Sequence, residues 1–285
     1  MAAAALLAVA AVVVGGCGAG APPMSAAHMS AGTDACPLPD TGFDCDFQRR
    51  IVAVRKYLAG RPGTTGVVLH DRQTGAEWHN DHATDQTWTA STIKLAMVVD
   101  LFTRDHAGEI TLTRDDRALI QSMLHSSNDQ AADELWYRYA GRDHTAFNDN
   151  FPAYGMTSLR PQKGYTDFYP YWGFQKCTPQ DLDRLIHHVL TDLPAGDRAY
   201  IVGQMRSVAQ NQRWGVWAAG PAATPGNKNG WSEEDGGWVT NSVGFAGPGE
   251  RFTLAEMNNL RGEGGYAMGR ETVTHVAELL FAGRF

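Results

Sequence analysis

The sequence is poor in the residues that most often announce a metal, a cofactor or a nucleic-acid partner. Its 285 residues hold four cysteines, and no two of them form a Cys-x-x-Cys pair. Neither a disulfide scaffold nor a zinc ribbon is therefore indicated. No His-Glu-x-x-His and no phosphate-binding Gly-x-x-x-x-Gly-Lys occurs. The glycine cluster Gly15 to Gly20 follows an apolar leader instead of a strand, which argues against a dinucleotide fold. Basic runs are missing, and 24 Lys/Arg against 31 Asp/Glu leave a net charge of −7. A nucleic-acid binder would show the opposite balance. His70, His79 and His82 lie on or near one hairpin, but no carboxylate-rich surroundings go with them. Neither a metal nor a cofactor is expected.

What is present describes an exported globular chain. Hydrophobic residues make up 43 % and charged residues 19 %, ordinary values for a packed domain. Residues Ala2 to Val14 are almost wholly Ala, Leu and Val, too short to span a bilayer but suited to an export signal. Val14-Gly15-Gly16-Cys17 resembles a lipobox, which would lipidate Cys17 and hold the protein on the outer face of the cell membrane. Cleavage near Ser25-Ala26-Ala27, releasing a secreted protein, is the alternative. The Ala/Gly/Ser/Pro-rich stretch after Cys17 reads as a tether, so residues 1–35 are expected to be signal and linker, and 36–285 the folded domain. In an oxidising compartment Cys36 and Cys45, nine apart around a Pro- and Gly-containing loop, are the favoured disulfide. A Cys45–Cys177 bridge competes with it.

Periodicity gives a coarse order of elements. Phe47, Ile51, Val54 and Leu58 recur at helical spacing. Gly66 to Asp71 and Ala76 to His79 flank a Gly75 turn and read as a hairpin. Thr92 to Phe102 is apolar on nearly all sides, the mark of a buried helix. A helix capped by Thr113 breaks at His125-Ser126-Ser127-Asn128 and restarts with Ala131. Pro161 to Thr178 has no period and reads as a long loop, and Thr178-Pro179 opens another helix. Three strand-like segments follow Gly226, then a last helix with Val273, Val276 and Leu280. This order predicts an α+β fold: an antiparallel five-stranded sheet flanked by helices, with an all-helical insertion. The α/β part would be about 36–90 and 215–285, and the helical part about 91–214.

Three short segments could carry chemistry. Ser91-Thr92-Ile93-Lys94 starts the buried helix, so serine and lysine share a face and the serine sits at the positive end of the helix dipole. A buried lysine has its pKa lowered and can serve as a base for a neighbouring hydroxyl. Alone, this is also what a capping serine and a surface lysine look like. Ser126-Ser127-Asn128 lies in the helix break, where a hydroxyl could relay a proton and an amide could hold a substrate, or both could simply cap. Lys228-Asn229-Gly230-Trp231 opens a strand, with a lysine able to bind a carboxylate and a glycine that admits close backbone approach.

In that order and spacing the three segments resemble the penicillin-recognising serine enzymes, the class A β-lactamases and the low-molecular-mass penicillin-binding proteins, over about residues 46–285. The resemblance implies Ser91 as nucleophile, Lys94 as its base and Ser126 as the proton relay to the leaving nitrogen. It implies that Asn128 binds the substrate amide and helps hold Lys94, and that Lys228 and Asn229 receive the substrate carboxylate. The backbone N–H groups of Ser91 and Trp231, beside Gly230, would form the oxyanion hole. The substrate would be a β-lactam or a cell-wall peptide ending in D-Ala-D-Ala, acylating a monomeric enzyme without a cofactor. Three departures stand out. Asn229 replaces the usual Thr or Ser, and Trp231 is larger than the residue common there. The glutamate that activates the deacylating water in class A enzymes has no counterpart, because no glutamate occurs between Glu134 and Glu233. Gln162 falls near its place, and Asp167 is the sole carboxylate in Pro161 to Thr178. The expectation is a serine hydrolase that acylates and then deacylates slowly, with Asp167 as the candidate base. A binding lipoprotein that kept the fold and lost catalysis is the alternative.

Overall fold

The computed structural model describes residues 36–285. The leader, the tether and Cys17 lie outside the described residues. Cys36 and Cys45 are paired, with Cα atoms 4.9 Å apart. Cys177 is a buried free thiol beside the Met257 thioether. Helix α1 (Cys45–Leu58) starts where the Asp44 carboxylate accepts from Phe47 N at 2.9 Å, and it buries Phe47, Ile51 and Val54, the spacing that predicted it.

Strands β1 (Thr64–Asp71) and β2 (Ala76–His79) form the expected hairpin, with Gly75 at φ +75° supplying the turn. A three-stranded ribbon was not predicted. It consists of β3 (Thr87–Trp88), β4 (Arg160–Pro161) and β5 (Gln175–Cys177), in the order β3-β5-β4. Strands of two or three residues carry too few positions to show an alternation. The last strands are β6 (Gly226–Glu234), β7 (Gly237–Ala246) and β8 (Phe252–Asn259). The main sheet is antiparallel throughout, in the order β2-β1-β8-β7-β6. This is the five-stranded sheet the element order implied.

Both faces of the sheet are covered, so its strands are apolar on both sides. Val67, Leu69, Phe252 and Leu254 join a core under α1 and the final helix α8 (Tyr266–Phe281), which contributes Val276 and Leu280; that helix is the eighth, and the six between are given next. Val68, Val243, Phe245 and Ala255 face the opposite way, into the core shared with the helical part. There α2 (Ile93–His106) is buried nearly all round. Around it stand α3 (Arg114–Ser126), α4 (Asp129–Tyr139), α5 (Ala146–Asn150), α6 (Pro179–Thr191) and α7 (Ala195–Arg206). Capping boxes Thr113/Asp116 and Thr178/Asp181 start α3 and α6. Helix α7 was missed in the sequence because its apolar residues form only a weak stripe: it buries just Ile201, Val202 and Met205.

Candidate active site

The turn before α2 is held from three sides. Thr89 receives its contacts from Gln175, whose carbonyl accepts from Thr89 N at 2.9 Å and from Thr89 Oγ1 at 3.2 Å. The Asn241 amide donates to the carbonyls of Trp88 at 2.8 Å and Thr89 at 3.2 Å. Ala90 then takes φ +44°, a left-handed value that costs a residue with a Cβ on the order of 1 kcal/mol or more. Ser91 follows in the turn Ala90–Thr92, half-buried on a cavity wall at the N-terminal end of α2. Gly230 on β6 backs directly onto it. A methyl at Gly230 would come within 2.8 Å of Ser91 N and of Thr92 N and 2.9 Å of Thr89 O. Glycine is required here because the strand must approach the amide of Ser91 this closely.

Lys94, one turn on, is fully buried. Its ammonium donates to the Ser127 carbonyl at 2.8 Å, pairs with the Asp129 carboxylate and lies 4.5 Å over the Trp172 ring. Burial pushes the Lys94 pKa down, and the Asp129 carboxylate opposes part of that shift. Lys228 is buried on β6, and its ammonium donates to Ser127 Oγ at 2.8 Å and to the Asn229 carbonyl at 2.7 Å. Burial drives the Lys228 pKa well down, helped by the like charge of Lys94.

Ser127 is thus the junction of the two lysines, and the register expected in the helix break moves by one residue. Ser127 ends α3 at φ 60°, ψ 35°, a left-handed cap that turns its carbonyl towards Lys94 and its hydroxyl towards Lys228. Ser126, the expected relay, is exposed and donates back to the Ser122 carbonyl at 3.0 Å. Asn128, the expected substrate ligand, is exposed and caps α4 by accepting from Ala131 N at 3.0 Å. The side chain that holds Lys94 is Asp129, a carboxylate in place of the expected amide.

Asn229 also departs from expectation. Strand alternation sends Lys228 and Asn229 to opposite faces, and Asn229 donates to the carbonyls of Gln212 at 2.8 Å and Trp214 at 3.2 Å. Its amide anchors the segment before β6 and does not face the Ser91 cavity. Trp231 does line that cavity, packed against Trp214 and Tyr266. Asp167 is exposed and is not among the cavity-lining residues, and Gln162 turns its amide to the Arg160 and Pro161 carbonyls. The aromatic loop between β4 and β5 instead sends Tyr171 and Trp172 to Asp133, whose Oδ1 accepts from Tyr171 OH at 2.5 Å and Trp172 Nε1 at 2.7 Å. Asp133 lies one turn after Asp129 on α4, and that spacing was the signal available in the sequence.

Comparison with solved structures decides the fold. A beta lactamase from Xanthomonas campestris superimposes with a TM-score of 0.68 over 83 % of this chain and 97 % of its own, at 17 % identity. A class A beta-lactamase from Mycobacterium abscessus gives 0.66 over 81 % and 97 %, also at 17 % identity. The fold is that of the β-lactamases. The family model for the Beta-lactamase enzyme family matches residues 48–116 of the β-lactamase-like domain, the stretch that contains Ser91 and Lys94. A Mycobacterium tuberculosis protein named "Putative lipoprotein LppW" is 28 % identical over 256 residues, 85 % of this chain and 77 % of its own length. The resemblance drawn from the three segments is therefore upheld at the level of the fold.

Proposed function

We propose that this β-lactamase-like protein is an exported serine hydrolase that forms an acyl-enzyme on Ser91 with β-lactams or with peptides ending in D-Ala-D-Ala. The observation that carries the reading is Ser127 held between Lys94, one turn on from Ser91, and Lys228, two residues before the Gly230 that backs onto Ser91. Ser91 Oγ attacks the carbonyl carbon, and the developing oxyanion meets the backbone N–H of Ser91 and of Trp231, next to Gly230. Lys94 in its neutral form takes the Ser91 proton, and burial favours that form. Lys228 donates to Ser127 Oγ, which leaves the Ser127 hydroxyl proton free to pass to the leaving nitrogen. The substrate carboxylate, arriving beside Lys228, favours its charged form against the burial that lowers its pKa. Lipid anchoring through Cys17 fits a relative whose name calls it a lipoprotein.

Deacylation is the weak step. It needs a base aimed at a water on the acyl carbon. Asp167 does not line the cavity, Asp129 is committed to Lys94, and one oxygen of Asp133 is committed to Tyr171 and Trp172. Stopped-flow mixing with a chromogenic cephalosporin tests this. A burst of one product per enzyme and then a slow phase is expected. Rapid linear turnover would contradict the slow step. The absence of both a burst and a mass adduct on Ser91 would favour the second reading, a cell-envelope binding lipoprotein, for which the Asn229 amide tied to Gln212 and Trp214 already speaks.

A further inference from the structure

Ser91 opens onto a cavity of about 800 Å³ whose walls carry an unusual charge. Five carboxylates line it, Asp129, Asp133, Glu233, Glu234 and Asp235, against a single lysine, Lys163. Lys94 answers Asp129. Asp133 is held by neutral donors only, Tyr171 and Trp172. Glu233 and Glu234 end β6 and Asp235 starts the turn to β7, and no basic group of the described residues stands within salt-bridge distance of them. Burial raises the Glu234 pKa; the Ser232 hydroxyl relieves this in part, the like charge of Asp235 adds to it, and Lys176 is too far to do more than soften it.

The second observation is aromatic. Tyr165, Phe174 and Trp231 present rings to the same cavity, whereas Trp88, also on its wall, already carries the Lys176 ammonium 4.4 Å over its ring. Tyr165 is 91 % exposed, edge-on to Phe174, so a large ring stands uncovered on the wall of the cavity. Uncompensated carboxylates interleaved with aromatic rings attract organic cations through both charge and ring quadrupole. They repel a second negative charge on the same ligand.

We infer that this cavity selects an acyl donor whose side chain carries an ammonium group, with Glu233, Glu234 and Asp235 receiving the charge while the donor's carboxylate points to Lys228. The inference rests on the Ser91 cavity being the substrate site proposed above. A donor of that kind is dipolar, negative at its carboxyl end and positive at its side chain. It matches a cavity with carboxylates at the end of β6 and Lys228 buried behind its wall.

Calorimetry on the Ser91→Ala protein tests the selectivity without any chemistry. Two peptides ending in D-Ala-D-Ala are compared, one with a free lysine side-chain amine and one with that amine acetylated. The free amine is expected to bind about tenfold tighter at low salt, with the gap shrinking in 0.5 M salt as screening demands. In the variant Glu233→Gln/Glu234→Gln/Asp235→Asn the gap should close to within about twofold. Glu233 and Asp235 are exposed, and the double variant Glu233→Gln/Asp235→Asn gives the same test with less disturbance. Equal affinity of the two peptides, binding of neither up to millimolar concentration, or a gap that survives neutralisation of the turn would each overturn the inference. Acylation of the unaltered protein by a penicillin with an uncharged side chain is read separately by intact mass, and it bears on Ser91 chemistry alone.

Discussion

Lys94 and Lys228 lie buried on one side of the sheet, and Glu256 lies buried on the other. The lysines are answered at every turn: Ser127 offers a carbonyl to one and a hydroxyl to the other, and Asp129 and the Asn229 carbonyl complete the set. Glu256, between Val67 of β1 and Ser242 of β7, has neither carboxylate oxygen hydrogen-bonded. Burial alone raises its pKa well above the ordinary carboxylate value and so favours the neutral form. The contrast separates two kinds of buried polarity. A partnered charge is held in one geometry and can act, whereas an unpartnered one gives up its charge and contributes only a cost.

Four experiments break or sharpen that contrast. The largest effect is expected from Ser91→Ala, which should abolish the mass adduct formed with a penicillin, while Glu256→Met should leave the adduct intact. Next comes the pair of serines in the helix break. Ser127→Ala removes the junction of the two lysines and should slow acylation about 10²- to 10³-fold, the usual range for losing a proton-transfer group. Ser126→Ala, which removes only a back-bond to Ser122, should stay within about twofold of the parent in the same assay. Equal losses at both positions would mean that the junction is not what matters.

Glu256 is the third case, and it is one of stability. Its folded-state pKa is raised, so the stabilisation present below the unfolded carboxylate value declines as pH rises from there towards the folded one. Glu256→Met should be more stable than the parent at neutral pH by about 1–3 kcal/mol, the range for removing an unsatisfied buried polar group. Urea unfolding should show that gap narrowing as the pH falls to about 4, with the part due to the unpartnered neutral carboxyl remaining. A parent whose stability does not fall between acid and neutral pH would show that Glu256 has a partner after all.

The smallest effect is expected at Asp129. Its carboxylate supports the charged form of Lys94, so Asp129→Asn should lower the Lys94 pKa further. The acid limb of the acylation pH profile should then move to lower pH, and the rate near neutrality should rise about three- to tenfold. A limb that moves upward, or a rate that collapses, would assign Asp129 to substrate binding and not to holding Lys94.

Much of this site was legible in the sequence, and the exceptions have physical causes. Ser91, Lys94, Lys228 and Gly230 were each weak signals alone, and it was the resemblance of the three ordered segments to the penicillin-recognising serine enzymes that singled them out. The helix break was visible too, but Ser126 and Ser127 fit it equally well until the left-handed turn at Ser127 is known. Asn128 was read as a ligand because capping and ligation use the same side chain, and capping is what it does. The placement of Asn229 could have been foreseen, since strand alternation turns it to the face opposite Lys228. Asp167 could not, because an aperiodic loop offers no rule for which of its residues turns inward. The sheet and its flanking helices followed from alternation and period, whereas the β3-β5-β4 ribbon fell below the length at which either can be seen.

Strand β1 pairs with β2 on one edge and with β8 on the other, Asp71 opposite Phe252 and Thr64 opposite Asn259. From Asp71 to Phe252 the chain runs 252 − 71 = 181 residues. A ribosome adding about 5–20 residues per second therefore leaves that second edge bare for roughly 10–40 s. The bare edge carries Val67, Val68 and Leu69, an apolar template open to any other extended chain nearby. During those seconds the newborn protein depends on whatever shields it, and a late synonymous pause downstream of β7 would lengthen the exposure without altering a single residue of the finished fold.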